Sequence, residues 1–235
     1  KTDALGSLEA IAESLKRNDV PIRVADVGDV SRRDVTEAAV VKEQDPLHGV
    51  ILAFNVKVLP DAELEAKNRD IPIFNQRTIY TLIDDYLQWL NQEDEARLDA
   101  EFSRLVKPAK MQFLSGYVFR KAKPAVIGIE VLAGKIRPRL TLVKQDGKNV
   151  GDILQIQEKG KAASEANIGA QVAVSLGKAV VGRHIHEGET YYVRIPEAHA
   201  KLLSKKFEDR LSSEEIETLN EFIAIMRVSS PFWAA

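Results

Sequence analysis

Hydrophobic positions in the first 75 residues change period several times. Leu5, Leu8, Ile11, Ala12 and Leu15 share one helical face, predicting a helix that ends near Asn18. Residues 21–28, Pro-Ile-Arg-Val-Ala-Asp-Val-Gly, read as a short strand. Ser31 with Asp34 three residues later is a variant capping box that opens a helix over about 32–43. Residues 49–54 form a continuous apolar run of strand length, as in parallel strands covered on both faces. A third helix over about 61–68 and a strand over 71–74 complete the alternation. The expected fold is a small parallel-sheet α/β/α sandwich with right-handed crossovers over residues 1–76. Because the pattern opens on a helix, the strand that should precede it is missing or very short. The chain is therefore expected to be a piece of a longer protein.

From Arg77 to Val106 neither proline nor glycine interrupts, and Ile79, Leu82, Ile83, Tyr86, Leu87 and Leu90 recur three and four apart. The stretch 91–101 is polar nearly all round, as in a helix crossing solvent between two bodies. This predicts a long connecting helix over 77–107, ended by Pro108. Over 108–197 short Val, Ile and Leu runs separated by glycine turns predict a β-barrel, with Asp146-Gly147 as a hairpin turn, a strand over 150–157 and a turn and strand over 166–176. Residues 198–235 are read as a helical extension, its first helix running over 197–210. Ser212 and Glu215 form a capping box, with Leu211 and Ile216 as a hydrophobic staple, and Ile216, Leu219, Phe222, Ile223 and Met226 make one apolar stripe.

The formal net charge is only −2, which excludes a uniformly basic coat, but it is unevenly spread. Residues 1–109 hold 14 basic and 21 acidic side chains, residues 110–197 hold 14 and 8, and residues 198–235 hold 5 and 6. Only the barrel is basic, so any polyanion contact is expected there. The absence of cysteine excludes a disulfide framework, thiolate metal sites and a cysteine nucleophile, and fits a reducing compartment. No export signal opens the chain and no apolar run approaches 18 residues, so no membrane is expected and the cytoplasm is the expected location. No phosphate loop of the form G-x-x-x-x-G-K-[ST] is present, so this chain is not expected to hydrolyse GTP by itself.

The opening Lys-Thr-Asp-Ala-Leu-Gly-Ser-Leu-Glu-Ala, the Val-Ala-Asp-Val-Gly at 24–28 and the acidic-aromatic Ile-Tyr-Thr-Leu-Ile-Asp-Asp-Tyr at 79–86 resemble one family. It is the C-terminal half, domains III and IV, of archaeal and eukaryotic translation initiation factor five-B, homologous to bacterial initiation factor two. The barrel resembles the second domain of translational GTPases. The terminal helices, ending Ser-Ser-Pro-Phe-Trp at 229–233, match the archaeal and eukaryotic form. The resemblance implies an α/β/α domain, a connecting helix and a barrel, in a non-catalytic module of a factor that promotes ribosomal subunit joining. It implies that the barrel approaches the acceptor end of initiator methionyl-tRNA and that the terminal helices receive initiation factor one-A. GTP and magnesium then belong to a GTPase domain outside this region, leaving no cofactor here, and the module is a monomer.

Lys121, Lys123, Lys144, Lys148, Lys159, Lys161 and Arg183 sit in or beside predicted barrel turns, within reach of an RNA backbone, although solvation alone explains any one of them. Phe113, Tyr117 and Phe119 are candidates for a stacking platform, with alternation assigning some of them to the core. Leu202, Leu203 and Phe207, facing Ile216, Leu219, Phe222, Ile223 and Met226, form either a partner groove or a self-buried face, with Phe232 and Trp233 lining or covering it. His184 and His186 share one face of a predicted strand but lack a third metal ligand at a recognised spacing. Asp84 and Asp85 diverge by about 100° on a helix and cannot act as a dyad. The rival readings are an RNA-presenting fragment of a small-ligand α/β enzyme, for which no catalytic constellation is evident, and a structural scaffold.

Overall fold

The computed structural model describes residues 1–235 and divides into two compact units, Lys1–Glu101 and Phe102–Ala235. In the first unit, helix α1 (Leu5–Arg17) buries Ile11 and Leu15, and Lys16 and Arg17 complement the negative end of its dipole. Helix α2 (Arg32–Gln44) begins at the expected box, the Ser31 amide donating to Asp34 Oδ2 at 2.8 Å. Strand β1 (Ile51–Phe54) pairs in parallel with β2 (Ile73–Gln76), from Ile51 opposite Ile73 to Phe54 opposite Gln76, with α3 (Pro60–Arg69) as the crossover. Gly49 precedes β1 because a Cβ there would collide with Lys42 Cβ and its backbone, so only glycine lets the strand approach α2.

Two expectations in this unit are corrected. The second strand begins at Ile73 rather than 71, because the Ile71 amide closes the end of α3 on Ala66 O and Pro72 has no amide to give. Residues 21–28 are not a strand. Only Val27 forms a bridge, parallel to Thr2, which also bridges Phe54. Upstream, a cavity of about 150 Å³ lined by Ile22, Val24, Val50 and Leu52 separates the segment from β1, so its amides find no ladder and Val24 stays 52% exposed.

Helix α4 (Ile79–Arg104) is continuous over 26 residues, about 39 Å at 1.5 Å per residue. Leu82, Ile83 and Tyr86 are buried, and Phe74, Tyr86 and Trp89 form an aromatic cluster with centroids 5.6–6.2 Å apart. Burial, with the Asp45 charge as a lesser cause, pushes the Tyr86 hydroxyl up to about 12. The boundary between the units falls inside this helix, so its last turn is part of the second unit, where Phe102 packs on Phe207 at 5.4 Å.

The second unit is a closed barrel carrying two helices. Its strands are β3 (Ala109–Arg120), β4 (Ala125–Ile136), β5 (Thr141–Val143), β6 (Asn149–Glu158), β7 (Lys161–Ala163), β8 (Ala166–Asn167), β9 (Gln171–Leu176) and β10 (Thr190–Val193). Six antiparallel strands close in the order β3-β10-β5-β6-β9-β4 and back to β3, while β7 and β8 extend β6 and β4. Closure removes the exposed edges. The expected Asp146-Gly147 turn joins β5 to β6, with Gly147 at φ +76°. The interior is filled by inward-facing residues, Met111, Phe113, Ile127, Ile129, Ile153, Ile156, Val174 and Tyr191 among them.

The helix expected over 197–210 is two pieces: α5 (Glu197–Lys205) and a 3-10 turn at Glu208–Arg210. The Phe207 amide closes back on Leu202 O, bending the chain so that the Phe207 ring enters the core. Helix α6 (Ser213–Ser229) opens on the expected Ser212–Glu215 box. It is pinned to the barrel by Glu221, which takes Lys110 Nζ at 3.0 Å and the Tyr192 hydroxyl at 3.0 Å. Burial, with that bond, raises Tyr192 to about 12.

Candidate nucleic-acid interface

Strand β3 is irregular in its middle, and that irregularity builds the site. Phe113 stands opposite Ile129 and Val118 opposite Ile127, so five steps on β3 match two on β4, leaving extra residues in a wide bulge. Gly116 takes φ +82° within it. Phe113 is fully buried, Val118 packs against the same core, and the intervening bulge leaves Tyr117 54% exposed, while Phe119, just after Val118, is 64% exposed. A second irregularity between Val118 and Arg120 sends Arg120 outward as well.

These side chains stand at one margin of an outward-facing groove across four strands. In one row Tyr117 lies over Gly128, whose partner is Ala173, whose partner is Gln157. In the next, Arg120 pairs with Val126, Val126 with Ser175 and Ser175 with Gln155. Beside Tyr117, which covers Gly128, the floor is formed by Val126, Ala173 and Ser175, small side chains that leave the groove open. One wall carries Phe119, Arg120 and Pro124, the other Gln155 and Gln157. A Cβ on Gly128 would sit 2.6 Å from Tyr117 Cβ, so the ring occupies space that only glycine leaves. Aromatic faces, amides that donate and accept, and a guanidinium suit stacking and hydrogen bonding to an unpaired nucleotide.

The seven predicted cations do not form one patch. Lys121 and Lys123 are exposed in the β3–β4 turn, next to groove-lining Arg120 and Pro124. Lys144 is drawn onto Glu189 at 3.2 Å and Lys148 onto Asp146 at 3.0 Å, both in the β5–β6 hairpin. The Lys148 amide and ammonium hold the Asp146 carboxyl below the usual range. Lys159 and Lys161 lie exposed on the β6–β7 hairpin that continues from Gln157, and Arg183 is exposed in the loop over 182–189. Pattern reading missed Gln155, Gln157 and Gly128 because their role depends on register across strands. The exposed Tyr117 and Phe119 were legible only as alternatives to core.

The His184 and His186 segment is a turn and not a strand. His186 Nδ1 lies 3.3 Å from Glu189 Oε1, and Glu189 also accepts from the Tyr191 hydroxyl at 2.6 Å and the His186 amide at 3.1 Å. Burial opposes ionisation of Glu189, but bonds from Tyr191, Lys144 and the His186 amide outweigh it and hold its pKa low. No three His, Asp or Glu side chains gather in metal-binding geometry anywhere in the chain. Asp85 accepts from Gln76 Nε2 at 2.7 Å, away from any dyad geometry.

Of the nine predicted groove residues on the terminal helices, Leu203, Phe207, Leu219, Phe222, Ile223 and Trp233 are buried within the unit. An open groove lined by all nine is thereby corrected: Trp233 packs edge-on against Phe222 at 5.5 Å, with its carbonyl held by Arg227 Nε at 2.9 Å. Leu202, Ile216 and Met226 remain half-buried, whereas Val228 and Phe232 are 88% and 84% exposed.

Two family descriptions match the chain: Translation-initiation factor 2 over residues 1–87 and Elongation factor Tu domain 4 over residues 107–192. The probable translation initiation factor IF-2 of Hyperthermus butylicus is 49% identical over 235 residues, covering 100% of this chain and 38% of that protein. The probable IF-2 of Methanocella arvoryzae is 44% identical over 233 residues, covering 99% and 39%. The crystal structure of GDP-bound aIF5B from Aeropyrum pernix matches 99% of this chain and 39% of its own, at 43% identity and a TM-score of 0.56. The chain thus spans about two fifths of the length of the curated relatives it matches.

Proposed function

Because the chain belongs to the archaeal IF-2/IF5B family of translation initiation factors, we propose that it is a non-catalytic binding module of a factor that promotes joining of ribosomal subunits. Its barrel binds the aminoacylated acceptor end of initiator methionyl-tRNA. The observation that carries this reading is the outward groove of Phe119, Arg120, Gln155 and Gln157 over a floor of Val126, Ala173 and Ser175, with Tyr117 beside it over Gly128, on the one basic region of the chain. A single-stranded end offers bases to stack and a backbone that Arg120, Lys121 and Lys123 can neutralise. GTP and magnesium are bound by another part of the parent, and α4 carries the state of the first unit to the barrel.

The test is direct binding of a fluorescent RNA minihelix with a methionylated single-stranded 3′ end. Saturable binding that weakens in Tyr117→Ala and Phe119→Ala is expected. Equal binding by the double variant overturns the assignment of this face.

A second contact rests on Val228 and Phe232, large apolar side chains exposed at the end of α6 and just beyond it. In this reading they receive an apolar segment of initiation factor one-A. Calorimetric titration with that factor should give saturable binding that Val228→Ser with Phe232→Ser abolishes, whereas unchanged binding places the contact elsewhere.

A further inference from the structure

The bulge that presents Tyr117 is tied from outside β3. Residues 182–189 form a loop ahead of β10, and its backbone is stitched to β3 just before the bulge. The Gly188 amide donates to Phe113 O at 2.8 Å, the Phe113 amide to Glu189 O at 3.0 Å, and Gln112 Nε2 to Gly188 O at 3.2 Å. The loop has its own internal brace in Glu189, which gathers Tyr191, His186 and Lys144. From this braced loop the Glu187 carboxylate reaches the bulge itself, where Oε2 accepts the Gly116 amide at 2.7 Å. That amide belongs to a stretch with no ladder partner on β4.

An unladdered bulge has several backbone arrangements of similar energy, and a one-residue shift turns every following side chain to the other face. The hydrogen bond from the Gly116 amide, one residue before Tyr117, to the Glu187 side chain selects among them. We propose that Glu187 is a positioning residue for the groove: it holds the bulge in the arrangement that lays Tyr117 over Gly128, although it does not line the groove. This rests on the reading of the barrel as the RNA-binding body, and it assigns the loop over 182–189 the task of shaping that site.

The test uses the chain labelled with 3-fluorotyrosine, whose five tyrosines give separate fluorine resonances, that of Tyr117 being identified by Tyr117→Phe. In Glu187→Ala the Tyr117 resonance should shift or broaden while the other four stay in place, and affinity for the methionylated minihelix should fall about tenfold. Glu187→Gln keeps a carbonyl acceptor at the same reach and should restore both readouts, which a general loss of loop charge would not. Should Glu187→Ala fail to fold, Glu187→Asp, one methylene short of Gly116, is expected to move the same resonance. A Tyr117 signal unchanged in the folded variant overturns the proposal, as does a moved signal with unchanged affinity. If the wild-type chain binds no minihelix, the RNA reading fails by itself, and the resonance still decides whether Glu187 positions Tyr117.

Discussion

Gly128 leaves the outward side of β4 bare, and Tyr117 fills that space. Gly128→Ala places a methyl 2.6 Å from the Tyr117 Cβ, well inside van der Waals contact, so the ring must move from its seat beside the groove. The expected result is about tenfold weaker minihelix binding, near 1.4 kcal/mol, with the barrel still folded. Affinity equal to wild type would show that the ring's seat is irrelevant. Glu189 gives a pH dependence at the same scale. Its pKa is held low in the folded chain, so its contribution to stability is complete above the unfolded-state value and is lost as pH falls through the folded-state one. Barrel stability should therefore drop from about pH 4.3 downward. Glu189→Gln should be less stable at pH 7 and show a shallower acid slope, read from urea midpoints followed at Trp233 in a Trp89→Phe background. None of these residue roles is visible in local pattern. Phe113 and Tyr117 are both odd-numbered aromatics of one strand, and only the bulge between them separates core from surface.

At the scale of elements, the helices were the most legible part, since apolar spacing and capping boxes are local. Ser31 with Asp34 and Ser212 with Glu215 mark the starts of α2 and α6 in sequence and in structure alike. The strand expected over 21–28 failed because an extended segment becomes a strand only beside a partner, and here only Val27 meets one. Helix α4 invites a test of its own. Ala96 lies on its exposed, polar stretch, so Ala96→Pro removes one intrahelical bond and clashes with the preceding turn, at about 3 kcal/mol, without touching either core. Both units of the variant should keep their folds and their partner binding, while the full-length factor loses subunit joining in a reconstituted ribosome assay. Normal joining would mean that α4 is a tether and not a transmitter.

For the whole molecule, the contrast between an acidic first region and a basic barrel puts the proposed RNA contact on the barrel and sets its expected salt dependence. With Arg120, Lys121 and Lys123 as the cations beside the groove, the logarithm of affinity should fall against the logarithm of salt with a slope of about −2, near −0.7 for each neutralised phosphate of a single strand. A slope near −5 would instead recruit all seven cations proposed from the sequence, including Lys144 and Lys148, which the fold has paired with Glu189 and Asp146. Short-range periodicity, composition and motif were enough to mark the helices, the barrel, the basic region and the family resemblance, though not that residues 21–28 lack a strand partner. Which side chains share a surface depended on the fold. The groove collects residues from β3, β4, β6 and β9, brought together by barrel closure and register, and Leu219, Phe222 and Ile223 of the terminal stripe are buried within the second unit, with Trp233 packed edge-on against Phe222. Such contacts join positions tens of residues apart, and no periodicity along the chain encodes them.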